Sequence, residues 1–133
     1  MCMADYAYDR AEVYRASICR TRKDRVCDEC GRAIKAGEDR QYAFMVYEGR
    51  GCTFHTCRHC VVAMDWLAEN CGGFLHGGVW KDLEEHIDEY PTLAFPLSRL
   101  KVARLRGWMR FDGTGLMAVP AVPPSLEAVG LER

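Results

Sequence analysis

The chain has almost no net charge: 18 Lys and Arg stand against 19 Asp and Glu, leaving −1. That balance argues against a globally basic nucleic-acid binder and leaves only local basic stretches to consider. No apolar run approaches the roughly 20 residues needed to cross a bilayer, so no membrane span is expected. The opening Met1-Cys2-Met3-Ala4-Asp5-Tyr6 holds no apolar run of the signal-peptide kind. The glycine-rich stretch 72–79 is not followed by Lys-Ser or Lys-Thr, which excludes a phosphate loop and leaves a connector with Phe74 and Leu75 pinned to the core. At 133 residues and 49% hydrophobic, the chain fits one domain with a modest core and a tail.

What the sequence does have is cysteine, eight in all. Four fall in two pairs, Cys27-Asp28-Glu29-Cys30 and Cys57-Arg58-His59-Cys60, with 26 residues between them. Each CxxC turn puts two sulfurs on one side of the backbone, and two such turns supply the four soft ligands of a tetrahedral zinc site. The other four, Cys2, Cys19, Cys52 and Cys71, are scattered, which favours metal plus reduced thiols in a cytoplasmic setting over four disulfides. A redox role for Cys57 and Cys60 would leave Cys27 and Cys30 unexplained and lacks a flanking βαβ pattern. The expected cofactor is therefore one structural Zn2+ held by Cys27, Cys30, Cys57 and Cys60. His55 and His59 are alternative ligands, but two intact pairs already fill the shell; His59 is expected to be exposed or to donate a hydrogen bond behind the metal. Cys52 reads as a small packed residue.

The local pattern places these ligands on an α+β frame. Residues 1–14 read as an irregular arm or short strand. Residues 15–25, with Arg15, Arg20, Arg22, Lys23 and Arg25 against Asp24, read as a solvated basic lead-in that could touch phosphate. Gly31 takes the positive-φ position after the knuckle, Ile34 is an anchor, and 36–38 is a turn. Gln41–Tyr47 and Cys52–Thr56 read as two strands joined at 48–51. Thr56 is the expected N-cap of a core helix from Cys57 to about Asn70, stopped by Gly72-Gly73.

Knuckle, hairpin and a helix whose first turn holds the second ligand pair resemble a treble-clef zinc finger. The resemblance rests on Cys27, Cys30, Gly31, Ile34, Gly37-Glu38, Tyr42, Cys57 and Cys60. The wider chain resembles small uncharacterised phage and prophage proteins through Cys27–Glu38, Thr56–Cys60, Asp82–Tyr90 and Arg104–Pro124. The organisation that follows is an N-terminal arm (1–26), a treble-clef domain (27–71), a helical extension packed on it (72–111) and a Pro-rich tail (112–133).

The extension carries the candidate partner surfaces. Trp80–Tyr90 predicts a helix with Trp80, Leu83 and Ile87 on one face, ended by Pro91. Asp82, Glu84, Glu85, Asp88 and Glu89 cover the rest, with His86 among them on a solvated face. A second helix is expected from Phe95 or Leu97 to Arg110, with Val102, Leu105 and Met109 as its apolar stripe and Leu100 and Trp108 widening the buried surface. Arg99, Lys101, Arg104, Arg106 and Arg110 flank that stripe with no acid among them. The two helices either pair by charge, each surface bridge contributing about 0–1 kcal/mol, or present Asp82, Glu85, Asp88, Glu89 and the basic row to partners. The turn 111–115 leads to a short strand at 116–119 and an extended or disordered tail.

No nucleophile–base pair or open metal position stands out, so a non-enzymatic, zinc-stabilised binding protein is expected. The resemblance implies a phage-encoded modulator or inhibitor of a host or defence protein. The alternative is a small nucleic-acid-binding regulator using 15–25 and 99–110. A treble-clef nuclease would need a further His/Asn/His set around a hydrolytic metal, and the hairpin offers only His55.

Overall fold

A computed structural model describes residues 13–89 and 91–128. Five strands precede three helices: β1 (Val13–Arg20), β2 (Arg25–Val26), β3 (Ala33–Ile34), β4 (Asp39–Tyr47), β5 (Arg50–Cys57), α1 (Arg58–Cys71), α2 (Val79–Glu89) and α3 (Pro91–Leu105). The fold class is α+β, as expected.

The main sheet is antiparallel in the order β1-β4-β5. The hairpin β4–β5 closes on Glu48 and Gly49, both at positive φ (51° and 76°), the backbone that two-residue hairpin turns favour. Its register runs from Arg40 opposite Cys57 to Tyr47 opposite Arg50. Residues 13–20, read as the end of an arm or short strand and the start of a solvated basic lead-in, form β1, which pairs with β4 along its whole length, from Val13↔Val46 to Arg20↔Asp39; the rest of the arm, 1–12, lies outside the described residues. Nearly every β1 side chain is exposed, so the strand shows no apolar alternation; backbone pairing to a central strand makes it.

β2 and β3 form a two-residue ladder, Arg25↔Ile34 and Val26↔Ala33, that pinches the knuckle between them. Ile34 is fully buried beneath it, the anchor expected of it. α1 starts one residue later than expected: Cys57 is its N-cap, in extended backbone, and Thr56 stays buried in β5. Gly72, at φ 74°, ends it in the left-handed conformation, where a side chain would be strained.

The core is centred on α1, which buries Val61, Val62, Ala63, Met64, Trp66 and Leu67. Val79, Trp80 and Leu83 of α2, Leu97 and Leu100 of α3, Trp108 and Leu126 complete it. At roughly 25 cal/mol per Å2 of apolar surface, each fully buried large side chain of this set contributes about 1.5–3 kcal/mol.

α3 departs most from expectation. Pro91 opens it instead of merely ending α2, since a proline lacks only an N–H that the first turn leaves unpaired anyway. It stops at Leu105 rather than Arg110; Gly107 and Trp108 then take φ of 66° and 62° and turn the chain back. The buried face is Leu97 and Leu100, and the stripe Val102, Leu105 and Met109 points outward. The tail is expected to be extended or disordered after a short strand at 116–119; residues 129–133 lie outside the described residues. Leu116 makes a single bridge to Met109 rather than starting a strand. Beyond it the chain is irregular but docked: Met117 N–H donates to Trp108 O (2.7 Å), Trp66 Nε1–H to Pro124 O (2.9 Å), and Leu126 N–H to Asn70 Oδ1 (2.7 Å). No helix among the described residues is long and apolar enough to cross a membrane.

Candidate metal centre

The two CxxC turns meet because β2–β3 fixes one and the β5–α1 junction the other. Cys27 follows β2, and Cys30 sits on the turn closed by Gly31 N–H donating to Cys27 O (2.9 Å), with Gly31 at φ 79°. Cys57 ends β5 and Cys60 lies on the first turn of α1. Asp28 locks the halves together: its N–H donates to His55 O (2.8 Å) and its Oδ2 accepts from His55 N–H (2.7 Å).

The four Sγ atoms converge, with Cys27–Cys60 and Cys30–Cys57 each 3.8 Å apart. A tetrahedron of sulfurs at the zinc–thiolate distance of about 2.3 Å has edges of about 3.8 Å, so the cage fits Zn2+ without rearrangement. Cys27, Cys57 and Cys60 are buried and Cys30 is half-buried. Backbone N–H groups aim at the sulfurs: Cys57 N donates to Cys27 Sγ (3.3 Å), and the amides of Cys30 and Arg32 approach Cys27 and Cys30. This is a site for one structural zinc ion, and its four sulfurs fill the shell.

The four thiols perturb one another. Contact with Cys27 pulls Cys30 down and pushes Cys57 and Cys60 up. Cys30 raises Cys27, but Cys57 and Cys60 outweigh it and bring Cys27 to about 6. Four adjacent sulfurs cannot all ionise without a cation among them, and a divalent metal supplies that charge.

A polar layer backs the cage. Arg32 forks onto Glu38, Nη2 to Oε1 at 2.9 Å and Nη1 to Oε2 at 3.3 Å, while Nη2 also donates to His59 Nδ1 (3.3 Å). His59 Nε2–H then donates to Met117 O (2.7 Å). His59 is thus buried rather than exposed, and holds the tail instead of the metal. Burial, then Arg32, lowers its basicity, so it is a neutral link. His55 is no ligand either: its Nδ1 accepts from Arg40 Nε–H (3.0 Å), and burial followed by Arg25 and Arg40 lowers its pKa. Cys52, expected to be packed, is exposed. Cys19 and Cys52 are thiols as expected, whereas Cys71 is disulfide-bonded.

One functional contact escaped the sequence. Glu29, inside the first CxxC, reaches across to cap α2: Oε2 accepts from Gly77 N–H (2.6 Å) and Oε1 from Val79 N–H (3.4 Å). Burial raises its pKa against those two amides. No local signal marks it, because its partners lie about 50 residues on.

The candidate partner residues divide. Asp82 is only 1% exposed and lies against His86, which is equally buried, so it is not part of an outer surface; both side chains turn inward from the α2 face expected to be solvated. Glu85, Asp88 and Glu89 are exposed. Lys101 pairs with Glu84 (3.3 Å), and the Arg104 guanidinium sits 5.3 Å from the Trp80 ring centroid, so these two face α2. Arg106 lies 4.0 Å over the Phe111 ring, and Arg99 and Arg110 are exposed. The helices therefore do pack on each other, and part of the basic row still faces outward.

No protein-family model, curated protein or solved structure matches the chain.

Proposed function

We propose that this chain is a non-enzymatic binding module: a zinc-stapled scaffold of treble-clef type that offers the outer face of α3 to a protein partner. The observation that carries the reading is the outward stripe. Val102 (51% exposed), Leu105 (68%) and Phe111 (94%) are large apolar residues with no core to serve, and Arg106 and Arg110 lie beside them. Exposed apolar side chains rimmed by polar residues mark interaction surfaces, and arginine is enriched among the residues that carry binding energy. The choice of a host or defence protein as the target, and of a modulator or inhibitor as the role, rests on the sequence resemblance of Cys27–Glu38 and Thr56–Cys60 alone.

The nuclease alternative finds no support in the donor set. Among the described residues the four cysteines are the only group arranged to hold a metal.

The test is site-specific photo-crosslinking from position 105, with position 85 on α2 as control, followed by capture with the Leu105→Asp/Phe111→Ser variant. A stoichiometric protein partner that crosslinks at 105 and is lost from the folded variant is the expected result. A partner retained by that variant would overturn the assignment of the α3 face.

A further inference from the structure

The sheet has a second face with a different chemistry. Ala43 and Thr56, which share one face, are buried beneath α1. The opposite face is built from three cross-strand rows: Arg15–Phe44–Thr53, Ser17–Tyr42–His55 and Cys19–Arg40–Cys57, the last closed because Arg40 and the zinc ligand Cys57 are buried. Val13–Val46–Gly51 caps the open end. These twelve residues include no carboxylate. Arg25 of β2 joins them, its Nη1 3.4 Å from His55 Nε2. Asp28, which lies by His55, spends one carboxylate oxygen on the His55 amide.

On this acid-free face the central strand sets two half-exposed rings side by side. Tyr42 and Phe44 are two residues apart on β4, a rise of about 7 Å. Tyr42 is tilted against His55, with centroids 5.5 Å apart. Gly51 leaves room beside Phe44: a Cβ built there would sit 3.3 Å from the ring, so glycine keeps that ring edge uncrowded. Arg15 is exposed next to Phe44. Flat rings at the spacing of an extended nucleotide step, with guanidinium groups around them, suit unstacked bases and their phosphates. A duplex, whose bases are already stacked, has no use for such rings.

We propose that this open face of β1, β4 and β5 binds single-stranded nucleic acid, stacking bases on Tyr42 and Phe44 and holding phosphates with Arg15 and Arg25. This site is separate from the α3 face and shares no residue with it, so either can fail without the other.

The experiment is fluorescence anisotropy of zinc-loaded, full-length protein with labelled oligonucleotides of about 12 nucleotides. Single-stranded RNA, single-stranded DNA and the duplex are compared from about 50 to 300 mM salt. Expected are binding to a single strand that weakens steeply with salt, a weaker duplex signal, and a loss of about tenfold for Phe44→Leu and for Arg15→Glu. The RNA and DNA arms decide which strand is preferred. Arg15→Glu lies on an exposed strand and tests the idea even where a ring substitution perturbs folding. No single-strand binding at low salt, equal affinity for the duplex, or unchanged binding by folded Phe44→Leu and Arg15→Glu would overturn the proposal. So would a loss caused only by Arg106→Glu/Arg110→Glu on the other face.

Discussion

Glu29 lies between two zinc ligands and accepts a 2.6 Å hydrogen bond from Gly77, the residue that opens the approach to α2. The metal knuckle and the second helix are therefore joined by one carboxylate. Glu29→Ala should leave zinc binding intact and lower stability by about 1 kcal/mol, the usual loss for a removed helix cap. Urea denaturation of the zinc-loaded protein measures this, and an unchanged midpoint would remove the cap from the account.

The cysteine cage should carry one zinc per chain, read by native mass spectrometry or elemental analysis. Structural zinc sites contribute on the order of 10–16 kcal/mol of apparent binding free energy, much of it folding free energy. Cys27→Ser and Cys60→Ser should thus lose both metal and helical circular dichroism, as should a strong chelator. A metal-free protein that keeps its native spectrum would refute the structural role.

The reversed face of α3 makes opposite forecasts for neighbouring leucines. Leu100→Ala should cost about 2–5 kcal/mol, because Leu100 belongs to the core. Leu105→Asp should stay within about 0.5 kcal/mol of the parent, because Leu105 faces water. Thermal denaturation of the two variants distinguishes this arrangement from the buried stripe that the sequence suggests.

His76 sets a pH dependence. It is stacked on Phe54 with centroids 4.4 Å apart, and its Nε2 is 3.1 Å from the Tyr14 hydroxyl. Burial lowers its pKa, with Asp28 opposing. The unfolded chain therefore takes up the proton first, near pH 6.5, and stability falls as pH drops from there through the lower folded value. Imidazole NMR should place the folded midpoint below 6.5. His76→Phe should flatten the stability profile over that window; a profile identical to the parent's would count against the assignment.

The parts of the fold legible in the sequence were those held by short-range chemistry. Cys27-x2-Cys30-Gly31, the Glu48-Gly49 turn and the run from Val61 to Leu67, apolar but for Asp65, each announce their structure within a few residues. The same holds for the cage, whose ligands declare themselves by spacing. What stayed hidden depends on distant partners. β1 is a strand because β4 lies beside it, not because of its own pattern. On α3, both Leu97/Leu100 and Val102/Leu105 have helical spacing, and only the position of α1 and α2 selects the first. His59 read as exposed or as a hydrogen-bond donor behind the metal, and its actual acceptor is a carbonyl 58 residues away.

The docked tail has a consequence for synthesis. Leu126 belongs to the core, and the carbonyl of Pro124 receives the Trp66 indole hydrogen. While the chain grows from its N-terminus, the knuckle, hairpin and α1 emerge with their four thiols well before this segment. All four cage ligands are out before the segment that closes the core, and α1 keeps an uncovered apolar flank until Leu126 is free.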